Sequence, residues 1–332
     1  MPKIKLKTLT PLWTGGVEGT CDRLHETGLI GSLRWWYEAL VRGLGGYACD
    51  PTSEDRCPDK DGRHCVACEL FGCTGWARKF RLRTLTPPEV KQDVIAAGQS
   101  FEIAIIPLRN VTDEEWCLLD ATFRLISEYG AIGGKTIFKP SDEQNRQHEF
   151  HHQDFGLVQI QLEGGCRHAN LEDIRAYVTS TRWRSGIHRF RDKSGGEYDY
   201  SWASLQDFWC VKGRYLARQD AKNSTYNRVL GRKQDKSVRE KRGKRVIRWS
   251  DLLEDPRDNV SRWLAGSQQE SKKVFSFKKP ARTFGFVKPG LVEFEEVKKR
   301  LKQAWPDFDP PKKFLTGGQI LKDIFTAGGG AA

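Results

Sequence analysis

The chain has 332 residues, with 55 Lys and Arg against 43 Asp and Glu, a formal charge of +12. That length suits about two domains, each able to bury a core, and no apolar run reaches the ~18–20 residues that span a bilayer. Lys3, Lys5 and Lys7 interrupt Ile4, Leu6 and Leu9, so the start does not read as a signal peptide, and a cytoplasmic protein with a polyanionic partner, nucleic acid before membrane, is expected.

Residues 3–9 alternate, Ile4 and Leu6 on one face and the three lysines on the other, which predicts a half-buried strand. Thr10 to Trp13 continue extended into the turn Gly15-Gly16. Leu29, Leu33, Trp36, Leu40 and Leu44 recur at helical spacing, and Gly45-Gly46 ends that helix. Residues 47–75 are rich in Cys, Gly, Pro and Asp and read as an irregular insertion. Phe80–Leu85 alternates again, with Arg81 and Arg83 outward, and Phe101–Leu108 is a further strand. Thr112 and Glu115 form a capping box ahead of the stripe Trp116, Leu119, Phe123, Ile126. A glycine-rich loop, 130–135, precedes a strand at Val158–Leu162. Strand, helix, strand, strand, helix, strand is the ferredoxin-like plan, an α+β fold with two helices on one face of an antiparallel sheet. Beyond about residue 166 a second α+β domain is expected. Its helices fall near 171–179, 260–265, 293–305 and 319–325, and its strands near 208–216, 274–277 and 283–287.

With no export signal, nine cysteines argue against a disulfide framework. Cys21, Cys49, Cys117, Cys166 and Cys210 are scattered and read as small buried hydrophobes. Cys57, Cys65, Cys68 and Cys73 are clustered as Cys-x7-Cys-x2-Cys-x4-Cys. Four thiolates fill a tetrahedral zinc and leave no open position, so the expected role is structural. His64 in place of Cys57, or four free thiols, are the alternatives.

The helix-free sheet face would carry Lys3, Lys5, Lys7, Arg81 and Arg83, either as a solvated face or as an RNA platform. Gly15, Gly16, Gly133 and Gly134 would let backbone N–H groups approach phosphates, with Lys135 beside them. Arg34, Glu38 and Arg42 share a stripe opposite the apolar one; Arg34 and the neighbouring Trp35 are RNA candidates, against a solvated Arg34–Glu38 pair. Gly231–Trp249 holds nine cations against two acids, a net +7 out of +12. Lys241, Arg242, Lys244 and Arg245 there would pair with phosphates, and Arg182, Trp183 and Arg184 would extend the path by stacking and charge.

The segments Thr10-Pro11-Leu12-Trp13-Thr14-Gly15-Gly16, Gly28 to Leu40, Glu69-Leu70-Phe71-Gly72-Cys73-Thr74-Gly75 and Tyr129 to Lys135 stand in an order that resembles the RAMP superfamily of CRISPR effector proteins. More narrowly, residues 8–160 resemble subunit one of the type III-B Cmr complex. The resemblance implies two tandem ferredoxin-like (RRM-like) domains, 1–165 with the Cys-rich insertion at 47–75, and 166–332 with a basic loop at 231–249. It implies a non-catalytic subunit of a ribonucleoprotein, near the 3′ part of the CRISPR RNA, helping to hold target RNA beside other Cmr subunits in antiviral defence. Where many relatives continue the glycine loop into an Arg-rich Gly-x-Gly, this chain has Lys135-Thr136-Ile137-Phe138-Lys139-Pro140. The alternatives are a metal-independent endoribonuclease processing CRISPR RNA, with His25 as its base, and a pure assembly scaffold. A metal held by His148, His151 and His152 is weighed against a solvated loop.

Overall fold

The computed structural model describes residues 2–51, 53–163, 170–191, 193, 195–235, 252–267 and 270–326. Lys241, Arg242, Lys244, Arg245 and Cys166 lie outside these.

Alternation makes β1 (Lys3–Thr8) what the sequence predicts, with Ile4, Leu6 and Thr8 buried and Lys3, Lys5 and Lys7 exposed. The helix α1 (Glu26–Gly43) buries Leu29, Leu33 and Trp36. Then come α2 (Val66–Phe71), β2 (Phe80–Thr86), a hairpin of β3 (Val90–Lys91) and β4 (Val94–Ile95), β5 (Ser100–Pro107), α3 (Asp113–Glu128) and β6 (Val158–Glu163). The sheet order is β2-β5-β1-β6, with every neighbour antiparallel. This is the ferredoxin-like arrangement. The α3 start is the expected capping box: the Glu115 N–H donates to Thr112 Oγ1 (3.4 Å), and the Thr112 N–H donates to Glu115 Oε2 (2.9 Å). In register, Lys5 stands between Glu102 and Gln161, and Lys3 between Ala104 and Glu163.

After α4 (Leu171–Val178) and the hairpin β7 (Arg189–Arg191) and β8 (Glu197–Asp199), the plan repeats: β9 (Phe208–Lys212), α5 (Thr225–Leu230), α6 (Asn259–Ala265), β10 (Val274–Lys278), β11 (Ala281–Phe286), α7 (Phe294–Ala304), α8 (Pro310–Lys313), β12 (Leu315–Thr316) and α9 (Gly317–Thr326). The second sheet runs β10-β11-β9-β12, again the ferredoxin-like order. Phe208 to Val211 and Arg282 to Phe286 are all buried, so both faces of these strands are covered.

The units divide elsewhere than at the expected 165/166. One holds Met1–Gly134, Gly156–Asp207 and Thr316–Ala332; the other holds Lys135–Phe155 and Phe208–Leu315. Residues 156–207 stay with the first unit because β6 completes its sheet, α4 packs against α3, and the turn Leu205–Asp207 packs on α1. Gly43 shows how close that last approach is, since a Cβ there would stand 2.6 Å from Leu205 Cβ. Cys117, expected as a small buried hydrophobe, is buried and is disulfide-bonded. No helix among the described residues is long and apolar enough to cross a membrane.

Candidate metal centre and nucleic-acid interface

Cys57, Cys65 and Cys68 converge as the spacing predicts, but the fourth thiol is Cys49, not Cys73. The four sulfurs lie within 4.8 Å of one another and all four residues are buried. Cys65 caps α2 and Cys68 sits in its first turn, so the helix presents both thiols to one point. Cys73 lies beyond the α2 cap Gly72, half-exposed, its Sγ directed to Thr74 O at 3.8 Å. His64 is not on the cluster either: Nε2 meets Glu69 Oε2 at 2.5 Å, and the ring stacks on Trp76. Cys49 was readable as Cys-x7-Cys-x7-Cys-x2-Cys, a more regular series than the one ending in Cys73.

Sulfurs 2.3 Å from one ion in a tetrahedron stand roughly 3.8 Å apart, and Cys49 Sγ and Cys68 Sγ are 3.6 Å apart. The Cys65 backbone N–H donates to Cys57 Sγ at 3.3 Å. Hydrogen bonds from Cys49, Cys65 and Cys68 hold the Cys57 thiol well below its usual range, and those with Cys49 above all lower Cys65 to about 7. Cys49 and Cys68 rise in exchange, through hydrogen bonds with Cys57 and Cys49 respectively. The donor set is therefore four close thiols with negative charge already favoured on part of it, which suits a soft divalent cation.

Two arginines expected at an RNA surface serve this cluster instead. Arg34 donates from Nε to Glu38 Oε1 (2.7 Å), from Nη1 to Gly72 O (2.9 Å) and from Nη2 to Cys68 Sγ (3.2 Å). Arg184 donates from Nη1 to Cys57 Sγ (3.6 Å) and to Asp55 O (3.3 Å), and its Nη2 pairs with the Asp55 carboxylate. Their side chains are only 16% and 12% exposed. The Arg34–Glu38–Arg42 stripe is thus buried rather than solvated, and burial pushes Glu38 up to about 7 despite Arg42 and Arg34 beside it. Asp55 also accepts from Tyr47 (2.6 Å) and Tyr200 (2.5 Å). Lys79 Nζ bridges Glu69 of α2 (2.6 Å) and Glu115 of α3 (2.8 Å), the latter also accepting from Tyr177. The insertion is held from several directions.

The sheet face opposite α1 and α3 is open. Lys3, Lys5, Lys7, Arg81 and Arg83 are exposed on it, and Glu102 and Glu163 are the acids that share their rows. Lys5 pairs with Glu163 at 2.7 Å. A trough of about 770 Å³ runs over this face, lined by Lys5, Lys7, Thr86, Ser100, Gln159 and Gln161 among others. Cations, amides and hydroxyls share this trough with the Glu102 carboxylate, and the first three are groups that grip phosphate and sugar.

The glycine loops differ from expectation. The Gly16 N–H donates to Thr20 O, the Gly133 N–H to Ser32 Oγ and the Gly134 N–H to Trp13 O, each at 2.9 Å. Those donors are spent inside the fold rather than offered to an anion. The glycines admit side chains: a Cβ on Gly15 or Gly134 would stand 2.3 or 2.4 Å from the Trp13 ring, and one on Gly16 would stand 2.7 Å from His25. Gly133, with φ +84°, would in addition meet Trp13 O at 2.7 Å. Lys135 lies over the Phe150 ring at 4.4 Å. His25 is bound to Asp22 Oδ1 at 2.7 Å and is 9% exposed, in the turn ahead of α1. Trp36 is core, donating to Ala131 O, while Trp35 keeps 36% exposure. Arg182 is exposed and lies over the Trp183 ring at 4.2 Å; Trp183 itself is half-buried. His152 is engaged by Lys139 O and Arg146, and the four cysteines are the metal-ligand group found among the described residues.

These features define a protein of two ferredoxin-like folds with one open, basic sheet face and a four-cysteine centre. Its sequence resembles the RAMP superfamily, whose model matches residues 5–138, from β1 through the glycine loop. No curated protein matches the chain. Among solved structures it is similar to Cmr1 from Pyrococcus furiosus, at 9% identity over 98% of this chain and 96% of that one, TM-score 0.42. It is similar too to a chain of the type III-B Cmr-beta complex bound to cognate target RNA (10% identity, 91% and 98% coverage, TM-score 0.41). A chain of the Csm3–Csm4 subcomplex of the type III-A interference complex also matches (13% identity, 49% and 75% coverage, TM-score 0.25).

Proposed function

We propose that this chain is a non-catalytic, RNA-binding subunit of a type III-B CRISPR ribonucleoprotein, placed near the 3′ part of the CRISPR RNA and helping to capture target RNA beside other Cmr subunits. The observation that carries the reading is the open sheet face, on which five exposed cations meet two acids on a fold whose sequence follows the RAMP pattern. Arg182 over Trp183 supplies a cation on an aromatic ring, and Lys241, Arg242, Lys244 and Arg245 add phosphate-pairing charge. Incubating the reconstituted complex with labelled CRISPR RNA tests the class: retention of intact RNA is expected. Cleavage abolished by His25→Ala would make the chain a nuclease, and unchanged RNA retention and assembly after charge removal would make it a scaffold.

The metal of the cysteine centre is zinc in this reading, with a structural role, because four thiolates leave no open position. Elemental analysis of purified protein is expected to find near-stoichiometric zinc, absent from Cys49→Ser and kept in Cys73→Ser. The reverse pattern would restore the ligand set that ends in Cys73.

A further inference from the structure

A divalent ion inside four thiolates carries two negative charges in excess, and a buried dianion is costly unless cations compensate it. The cluster is built from Cys49, Cys57, Cys65 and Cys68, all buried, so bulk water cannot supply the compensation. Two guanidinium groups reach the sulfurs: Arg34 Nη2 is 3.2 Å from Cys68 Sγ and Arg184 Nη1 is 3.6 Å from Cys57 Sγ. They arrive from separate stretches, one from α1 and one from the segment after α4. Each is itself fixed by backbone and carboxylate contacts, Arg34 by Glu38 and Gly72 O, Arg184 by the Asp55 carboxylate and Asp55 O. The Arg184 backbone N–H also donates to His64 O at 2.9 Å, one residue before Cys65.

We propose that Arg34 and Arg184 are the outer shell of the metal centre. They neutralise a zinc tetrathiolate, and with the metal in place they clamp α1, the 47–75 insertion and the 182–186 segment together. This rests on the zinc reading above and goes beyond it in assigning the centre its charge balance and its span. Positioning contacts of this kind set metal affinity by about 10–100-fold in other sites. They have a second consequence: Arg184 ties the loop that carries Arg182 and Trp183 to the cluster through Cys57 Sγ, so loss of the metal loosens one of the contacts that hold that loop.

The test follows zinc transfer from the full-length protein to a colorimetric chelator, with zinc stoichiometry and circular dichroism measured on every sample. Arg184→Gln is expected to release zinc roughly tenfold or more faster than wild type. Arg184→Lys, which keeps the charge, is expected to recover most of the difference. Arg34→Lys and Arg34→Gln form a second pair that decides the matter should Arg184→Gln fail to fold. Limited proteolysis should cut within 180–188 faster once the chelator has removed the metal. If wild type holds stoichiometric zinc and the Gln variants release it at the wild-type rate, the arginine assignment is overturned while the zinc reading stands. If Lys and Gln variants behave alike, charge neutralisation is overturned. Wild type without zinc overturns both.

Discussion

The Trp13 ring stands against two glycines. Gly15 and Gly134 come close enough that a Cβ on either would sit 2.3 or 2.4 Å from indole carbons, and the Trp13 carbonyl accepts from the Gly134 N–H. Overpacking of that kind costs typically 1–3 kcal/mol, so Gly134→Val is expected to lower stability by about that amount in urea melts. The cause is local: Trp13→Ala should relieve much of it, leaving a non-additive double-mutant cycle, whereas additive losses would exclude the ring as the obstacle. His188 makes a second residue-scale prediction. Burial and the Arg42 guanidinium lower its pKa to about 4, against the opposing charges of Asp55, Cys65 and Asp199. Its Nε2 accepts from the Ala48 N–H at 3.4 Å, and its ring lies between Tyr47 and Tyr200. A folded state that excludes the proton loses stability as pH falls from about 6.5 towards about 4. His188→Gln should flatten that part of the denaturation-midpoint profile; an unchanged profile would remove His188 from it. Which residues do what was least legible at this scale. Spacing offers two series, one that starts at Cys49 and one that ends at Cys73, without choosing between them, and no periodicity says that Arg34 turns toward Cys68, 34 positions away.

At the level of elements the sequence was more readable, because alternation and capping are local. β1 follows period two and β2 begins with it, whereas β5 buries Ile103, Ala104 and Ile105 in succession; α1 and α3 bury their apolar stripes among wider buried faces. The capping box at Thr112 is formed on both sides, so Thr112→Ala is expected to cost about 1 kcal/mol. The urea midpoint checks it, and a change under a few tenths would mean that the α3 start is held by its other partners, Lys79 on Glu115 among them. Two features escaped. The short hairpins β3–β4 and β7–β8 carry too few residues to show a period. The polar stripe of α1 read as solvated because its residue types are charged, yet it packs inward, where Arg42 donates to Ala48 O and Ala203 O. A stripe of charge on a helix reports its surroundings only once the insertion that covers it is placed.

Over the whole molecule, the ferredoxin-like plan appears twice with different outcomes. The second sheet is covered on both faces, as the unbroken burial of Phe208 to Val211 requires, while the first leaves Lys3, Lys5, Lys7, Arg81 and Arg83 in the open. Chain length and the order of elements predict two such units, but not that residues 170–207 belong with the first. That placement depends on packing against α1 and α3, between positions distant in sequence. The open face is where RNA binding is proposed, and its charge gives it a quantitative signature. For every phosphate left unpaired, the slope of log affinity against log salt should fall by about 0.7 for a single strand. The most direct measurement is that slope for single-stranded RNA on the full-length protein, compared with a variant carrying Lys5→Gln, Lys7→Gln, Arg81→Gln and Arg83→Gln together. The prediction is a shallower slope and weaker binding with an unchanged circular dichroism spectrum. The same slope in a folded variant would contradict an RNA interface on this face.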